Sequence, residues 1–136
     1  MRAYLFNTPS LAALVKYRPG AVALASPWMA AHEAATSALV YAGVFEHIRP
    51  SQRFLRHYQA LRNLLRLVHP LGVNLSILER YDDIRLTLRR GRLIGDIDTL
   101  ITATALEHDL TVVTIDPDFQ RVPDLEVMLL TRAQLQ

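Results

Sequence analysis

The chain has 136 residues, of which 51% are hydrophobic and 21% charged, so it can fold as one domain and is unlike a disordered segment. It contains no cysteine, which excludes disulfides and thiolate metal sites and leaves carboxylate, carbonyl and imidazole groups as metal ligands. No apolar stretch reaches the roughly 20 residues of a membrane span, and the start MRAYLF lacks the apolar core of a secretory signal. We therefore expect a single domain over residues 1–136, without membrane association, in the cytoplasm.

The formal net charge of +2 is unevenly distributed. Residues 49–92 carry ten arginines and three acids, whereas residues 93–136 carry two arginines and eight acids. A basic middle and an acidic end suit a protein that binds a polyanion with one surface and a metal ion with another. Solvated helix faces explain the same pattern as well, and both interpretations stay open.

The first third of the chain predicts two strand–helix units in succession. In each unit a short apolar run is followed by serine or threonine and then proline, as where a strand leads into a capped helix with proline in its first turn. The predicted elements are a strand over residues 2–6, a helix from Thr8, a strand over Ala21–Ala25 and a helix from Trp28 to Ala42.

The rest of the chain alternates in the same way. Apolar residues recur at helical spacing from Phe54 to Val68 and from Ile97 to His108. The predicted elements are a helix from Pro50, a short strand in residues 67–71, a helix from Asn74 to Arg90, a helix from Gly95, a strand over Thr111–Thr114 and an edge strand over Glu126–Leu130. This alternation predicts an α/β fold, a three-layer domain whose central, mostly parallel sheet of four to five strands is flanked by helices.

Polar residues follow the predicted strands and begin the last long helix. Ligands of open parallel sheets bind at the carboxyl ends of the strands, and a divalent cation relieves the repulsion between carboxylates gathered there. The candidate ligands are Asn7, Glu33, Asp96, Asp98, Asp116 and Asp118. Mg²⁺ or Mn²⁺ at such a site polarises a phosphate and activates water. Taken singly, each acid also has a structural explanation as a helix cap, a turn residue or a solvated side chain.

Four segments, in order along nearly the whole chain, carry a specific pattern. They are LFNTPSL at residues 5–11, SPWMAAHEA at 26–34, IGDIDTLITA at 94–103 and VVTIDPDF at 112–119. Together they resemble the motifs of PIN-domain ribonucleases, in particular the VapC-type toxins of toxin–antitoxin pairs. The third segment is similar to the family's IGxxDxLIAA and the fourth to its LVTxDxDF.

The resemblance implies a PIN-like endoribonuclease that hydrolyses RNA phosphodiesters with Mg²⁺ or Mn²⁺. By the same match Asp98 and Asp116 bind the metal, Asp96 and Asp118 are accessory ligands, and Glu33 is the glutamate of the second motif. It further implies a homodimer and an antitoxin protein whose tail enters the acidic groove. Weaker candidates for contact with the RNA substrate are Thr8, Thr114, Arg53 and Arg56.

Asn7 departs from the family pattern, which has aspartate at the end of the first strand. Asparagine keeps one weak oxygen ligand but lacks the charge, so we expect weaker metal binding and a large loss of activity. Three functions stay open. The first is a ribonuclease toxin, natively active or disabled by an engineered Asn7, and the second is a natural non-catalytic PIN-like module that binds RNA or protein. The third, a doubly wound domain for a small phosphorylated ligand, is disfavoured because the five glycines form no phosphate loop.

Overall fold

Five short strands and seven helices make up the chain in the computed structural model, which describes residues 2–136. The strands are β1 (Tyr4–Phe6), β2 (Ala34–Ser37), β3 (His69–Leu71), β4 (Thr111–Thr114) and β5 (Val127–Leu129). The helices are α1 (Thr8–Val15), α2 (Pro19–Ala30), α3 (Ala38–Ile48), α4 (Phe54–Leu64), α5 (Leu75–Leu88), α6 (Asp96–Glu107) and α7 (Arg132–Leu135), and a short 3₁₀ helix covers Pro117–Arg121. The helices flank the sheet, so the predicted three-layer α/β fold is confirmed.

All strand pairs are parallel, and the strand order is β3-β2-β1-β4-β5. β1 is therefore central, with β2 on one side and β4 on the other. Phe6 is in register with Val113, which brings Asn7 and Thr114 side by side where β1 and β4 end. Because every strand runs in the same direction, the residues that follow them meet at one edge, here called the carboxyl edge.

The central strands are buried on both faces. Leu5, Phe6, Val112 and Val113 are almost fully enclosed and belong to the main hydrophobic core. A smaller core lies where α5 packs against α6, and its buried members are Ile77, Ile84, Leu88, Ile94, Ala103 and Val122. Continuous apolar strands of this kind are expected in parallel sheets covered by helices on both faces.

The second strand–helix unit differs from the prediction. Ala21–Ala25 is not a strand but part of α2, and the helix predicted from Trp28 to Ala42 is interrupted by β2. A short run of alanine, valine and leucine suits a buried helix as well as a strand, and alanine has the higher helix propensity. Pro19, not Pro27, is the proline in the first turn of this helix, and Pro27 lies inside it.

Other boundaries shift less. The helix predicted from Thr8 is capped by Asn7, and the helix predicted from Pro50 begins at Phe54. The strand over Thr111–Thr114 and the helix from Gly95 are confirmed, whereas α7 was not predicted. In the described part of the chain, no helix combines the length and the apolar character that crossing a membrane requires.

Candidate functional site

Asn7 follows β1 at the centre of the carboxyl edge, and it is only 2% exposed. Its amide nitrogen Nδ2 donates a hydrogen bond of 2.6 Å to Thr114 Oγ1. Its oxygen Oδ1 accepts bonds from Ser10 Oγ at 2.9 Å and from the Ser10 backbone N–H at 3.4 Å, and so caps α1. The oxygen of the Asn7 amide is therefore already engaged within the protein, where it caps α1.

Thr114 connects Asn7 to the acidic segment after β4. Its fully buried hydroxyl accepts the Asn7 amide and also the backbone N–H of Asp116, at 3.0 Å. Asp116 Oδ1 accepts the backbone N–H of Asp118 at 2.9 Å and so begins the 3₁₀ helix. This chain of hydrogen bonds holds the Asp116 carboxylate next to the end of β1.

Asp98 lies in the first turn of α6 and is partly buried. Its pKa is raised above the ordinary value, first by burial and then by the negative charges of Asp116 and Asp118. A neighbouring like charge disfavours the ionised form of a carboxyl group. The first turn of α6 and the segment after β4 therefore bring three carboxylates within electrostatic range of one another.

Arginines neutralise two of the predicted accessory acids. Arg85 forms an ion pair with Asp96, and Arg92 Nη2 lies 2.7 Å from Asp118 Oδ1. Arg121 approaches the same Asp118 oxygen at 3.8 Å. The pattern of acids alone did not indicate these pairs, although the sequence has Arg85 eleven residues and Arg92 four residues before the start of α6.

Asp98 and Asp116 are the acids that stay available for a cation, because neither forms an ion pair within residues 2–136. Magnesium is commonly held by one or two carboxylates, with water and substrate phosphate filling its other positions. These two residues fit that minimum. Across the same residues, however, no group of three or more His, Asp and Glu side chains lies close enough to hold a metal ion. The donor set suits a weak site that phosphate completes.

Glu33 does not belong to this edge, contrary to the prediction. It immediately precedes β2, and its carbonyl oxygen accepts the backbone N–H groups of Ala3 at 2.8 Å and Tyr4 at 3.0 Å. These are the residues at which β1 begins. Glu33 therefore lies at the amino edge of the sheet, with the strands between it and the acids. The error follows from the misplaced second strand. With the predicted strand at Ala21–Ala25, Glu33 would follow the strand, whereas it precedes the observed β2.

The element that reaches the carboxyl edge from β2 is α3, and its residue facing Thr8 is Gly43. A Cβ atom built on Gly43 would lie 3.0 Å from Thr8 Oγ1 and 3.2 Å from its Cγ2. The close approach of α3 to α1 thus depends on glycine, and this position supplies no ligand. The next acid on α3, Glu46, is exposed and lines an open groove together with Thr8 and Ile115.

The predicted substrate contacts have different outcomes. Thr8 is partly exposed and lines the open groove, which has a volume of about 1060 Å³, so it stays a candidate. Thr114 is fully buried and its oxygen accepts two hydrogen bonds, so its hydroxyl is not open to the groove in this structure. Arg53 and Arg56 are exposed at the start of α4, and Arg53 lines a second cavity next to the groove.

The molecule is thus a parallel α/β domain with carboxylates gathered where its two central strands end. A family model described as the PIN domain matches residues 5–125. The chain therefore belongs to the PIN domain family, as its motifs predicted. No curated protein sequence matches it significantly.

Several solved structures have the same fold. A chain of the VapBC-1 structure from nontypeable Haemophilus influenzae is 27% identical, with a TM-score of 0.80 and coverage of 93% of this chain and 97% of that chain. A chain of Rickettsia felis VapBC2, solved with a promoter DNA fragment, is 21% identical, with a TM-score of 0.83 and coverage of 93% and 98%. A chain of DNA-bound VapBC from Salmonella typhimurium is 18% identical, with a TM-score of 0.84 and coverage of 94% and 98%. The predicted likeness to VapC-type PIN toxins is confirmed.

Proposed function

We propose that this protein is the toxin of a toxin–antitoxin pair, a metal-dependent endoribonuclease whose metal site is weakened by Asn7. One observation carries the proposal. Asp98 and Asp116, from two different segments, come within electrostatic range at the carboxyl edge and have no arginine partner, while their neighbours Asp96 and Asp118 do. Acids without a counter-charge, placed where parallel sheets bind ligands, are suited to a divalent cation.

In this proposal Asp98 and Asp116 hold Mg²⁺ or Mn²⁺. When bound, the cation polarises the scissile phosphate and promotes attack by water. Asp98 is the carboxylate that gains most from a cation, because burial and two neighbouring negative charges already disfavour its ionised form. Thr8, on the wall of the groove, is positioned to donate its hydroxyl to a phosphate oxygen of the RNA. Asp96 and Asp118 act indirectly, since their arginine partners hold the two segments.

Asn7 explains why the site should be weak. The amide brings no negative charge, and its oxygen already accepts two bonds from Ser10. Gly43 adds no ligand from the side of α3. The resembled motif has aspartate at the position of Asn7. In this protein two carboxylates therefore bind the metal ion without it. Aspartate at position 7 restores a charge beside Asp116, so it should strengthen metal binding.

A second candidate function is a non-catalytic PIN module that binds RNA or protein. The observation that favours it is the internal bonding of the Asn7 amide, whose oxygen caps α1 and whose nitrogen donates to Thr114. A residue with these structural roles stabilises the fold without any metal. If the protein is such a module, the acids at the carboxyl edge no longer have a catalytic role, and no single substitution restores RNA cleavage.

The proposed partners follow from the relatives. The Haemophilus, Rickettsia and Salmonella structures are of VapBC proteins, and two of them contain DNA. We propose that this chain likewise binds a cognate antitoxin protein, forms a homodimer and acts in the cytoplasm. The acidic rim around Asp98 and Asp116 suits a basic side chain of the antitoxin, which would neutralise the carboxylates in place of a cation.

The test is cleavage of a labelled mixed RNA pool by three proteins, each with Mn²⁺ or with EDTA. They are the native chain, Asn7→Asp, and Asn7→Asp combined with Asp98→Asn. We expect Asn7→Asp to cut at least about tenfold faster than the native chain, only with Mn²⁺, because loss of even an outer-shell partner costs a metal site that much. Asp98→Asn should abolish the gain. Asp82→Asn is the matched control, since Asp82 is an exposed acid of α5.

The outcomes separate the two candidate functions. Cutting that persists in EDTA, or in the variant lacking the Asp98 charge, contradicts the proposed metal site. If no protein cuts and calorimetry detects no Mn²⁺ binding by Asn7→Asp, the non-catalytic module is the better description.

A further inference from the structure

A cluster of basic side chains lies beside the groove and has no role in the metal site. Lys16 at the end of α1, Arg18 after it, His47 on α3, and Arg53 and His57 at the start of α4 line a cavity of about 450 Å³. We call this cavity the basic cleft. No acidic residue lines it; its other wall residues are Ile48, Pro50 and Ser51.

The charges of the basic cleft are not compensated within the protein. Among residues 2–136 the ion pairs involve the arginines of α5 and of the segments around α6 and β4, and none involves Lys16, Arg18 or Arg53. Lys16 Nζ instead lies 2.6 Å from His47 Nε2, within hydrogen-bond distance of another basic side chain. Basic groups held together without an acid create a positive potential that attracts anions.

His57 lies within this positive potential, which affects its pKa. Its pKa is lowered, first by burial and then by the neighbouring basic side chains of Lys16, Arg53, Arg56 and His47. Its ring atom Nδ1 is enclosed and has no hydrogen-bond partner among the described residues. An enclosed polar atom without a partner is unfavourable unless a ligand or water satisfies it. A bound phosphate would compensate the surrounding charges and accept hydrogen bonds from the lysine and arginine side chains.

The cleft is continuous with the groove, which ends beside the acidic rim without being lined by Asp98 or Asp116. Both are lined by Lys16, Arg18, His47 and Pro50, and the groove continues from there to Thr8 and Ile115, next to Asn7 and Asp116. One exposed acid, Glu46, lines the groove, but none lines the cleft. A polyanion that reaches the rim can therefore extend into the cleft without meeting negative charge there.

We propose that the basic cleft is a phosphate-binding subsite for the backbone of single-stranded RNA, on one side of the phosphodiester held at the acidic rim. The inference rests on the proposed action on RNA and adds where the strand lies. Lys16 and Arg53 provide the main charges, and Arg18 extends the cleft toward the groove. By contrast, the guanidinium of Arg49 lies 5.0 Å from the ring centre of Phe54 and is occupied by that aromatic contact.

The test measures RNA binding without cleavage. Fluorescence anisotropy of a labelled uridine oligonucleotide of about 20 nucleotides, long enough to span both sites, is recorded in EDTA at several salt concentrations. The cleft variant is Lys16→Gln/Arg53→Gln. Its control is Arg66→Gln/Arg90→Gln, which removes the same charge from exposed residues that line neither cavity. Thermal unfolding of both variants checks that the fold is kept.

We expect the cleft variant to bind RNA at least about tenfold more weakly than the control, with a salt slope lower by about 0.7 for each lost phosphate contact. Equal weakening in the two variants overturns the proposal. So does a cleft variant that keeps its RNA affinity but loses binding to a polyglutamate peptide, since the cleft would then be a site for an acidic protein segment. These results do not depend on cleavage, so failure of Asn7→Asp to cut RNA leaves them unchanged.

Discussion

The buried hydroxyl of Thr114 holds the two halves of the candidate site together, and its removal gives the sharpest test of the geometry. Thr114→Val keeps the shape of the side chain and removes the acceptor of two hydrogen bonds, from Asn7 Nδ2 at 2.6 Å and from the Asp116 N–H at 3.0 Å. Both donors are then left without a partner, in a place where Thr114 is 0% exposed and Asn7 2% exposed.

The expected loss of stability follows from counting these donors. A buried donor without a partner costs about 1–3 kcal/mol, so the two together should lower the free energy of unfolding by about 2–6 kcal/mol, toward the lower end because Asp116 is only partly buried. Urea denaturation with linear extrapolation measures this loss, provided that the m value is unchanged. The control is Thr102→Val in α6, because Thr102 is also 0% exposed and its hydroxyl has no hydrogen-bond partner. That substitution should be neutral or stabilising, since it removes an unsatisfied polar group.

The comparison refutes the reasoning if Thr114→Val and Thr102→Val change the free energy of unfolding by the same amount, within about 0.5 kcal/mol. The two substitutions are chemically identical and equally buried, so only the hydrogen bonds differ. If Asn7→Ala lowers the free energy of unfolding as much as Thr114→Val does, the cost belongs to the Asn7 amide alone rather than to the bridge between the two segments.

Two further predictions concern charge and packing. The pKa of Asp98 is raised by burial and by Asp116 and Asp118, so its stabilising contribution is present at low pH and is lost as the pH rises through its folded pKa. Without metal, Asp98→Asn should therefore stabilise the protein by about 1 kcal/mol at neutral pH and by less in acid; urea titrations showing an equal gain at both pH values would contradict this. Ile101→Ala, at a fully buried position of α6, should cost about 2–5 kcal/mol, whereas Ile97→Ala, at a position 50% exposed in the same helix, should cost less than about 1 kcal/mol. Similar losses in urea titrations would mean that the buried face of α6 is assigned wrongly.

The sequence predicted those parts of the fold in which one pattern had one interpretation. The apolar spacing of α6 and the β-branched run Thr111–Thr114 each match one type of element, and both are confirmed. The segment Ala21–Ala25 is different, because five small apolar residues fit a helix face and a buried strand equally well. Tertiary packing decides between them: α2 buries Ala21 and Ala25 fully, while β2 occupies the place beside β1.

This local error moved a functional residue to the wrong edge of the sheet. Parallel strands have a direction, so a residue after a strand and a residue before it lie on opposite edges. Glu33 was predicted to follow a strand and in fact precedes β2. Asp98 and Asp116 escaped this kind of error because α6 and β4 are consecutive in the chain and were both predicted correctly. The prediction of a site residue was thus as good as the prediction of the strand that positions it.

Which acid of each pair faces the site depends on helix geometry and on arginines distant in the chain. Asp96 and Asp98 are two positions apart in α6, and side chains at that spacing point about 200° apart around a helix, so only one can face β4. Arg85 of α5 pairs with Asp96, and Arg92, before α6, pairs with Asp118. The first pair depends on the packing of α5 against α6, and the second joins the segment before α6 to the 3₁₀ helix after β4; no single motif encodes either arrangement. The arginines therefore do more than contribute positive charge, because they neutralise Asp96 and Asp118 and leave Asp98 and Asp116 without an ion-pair partner among the described residues.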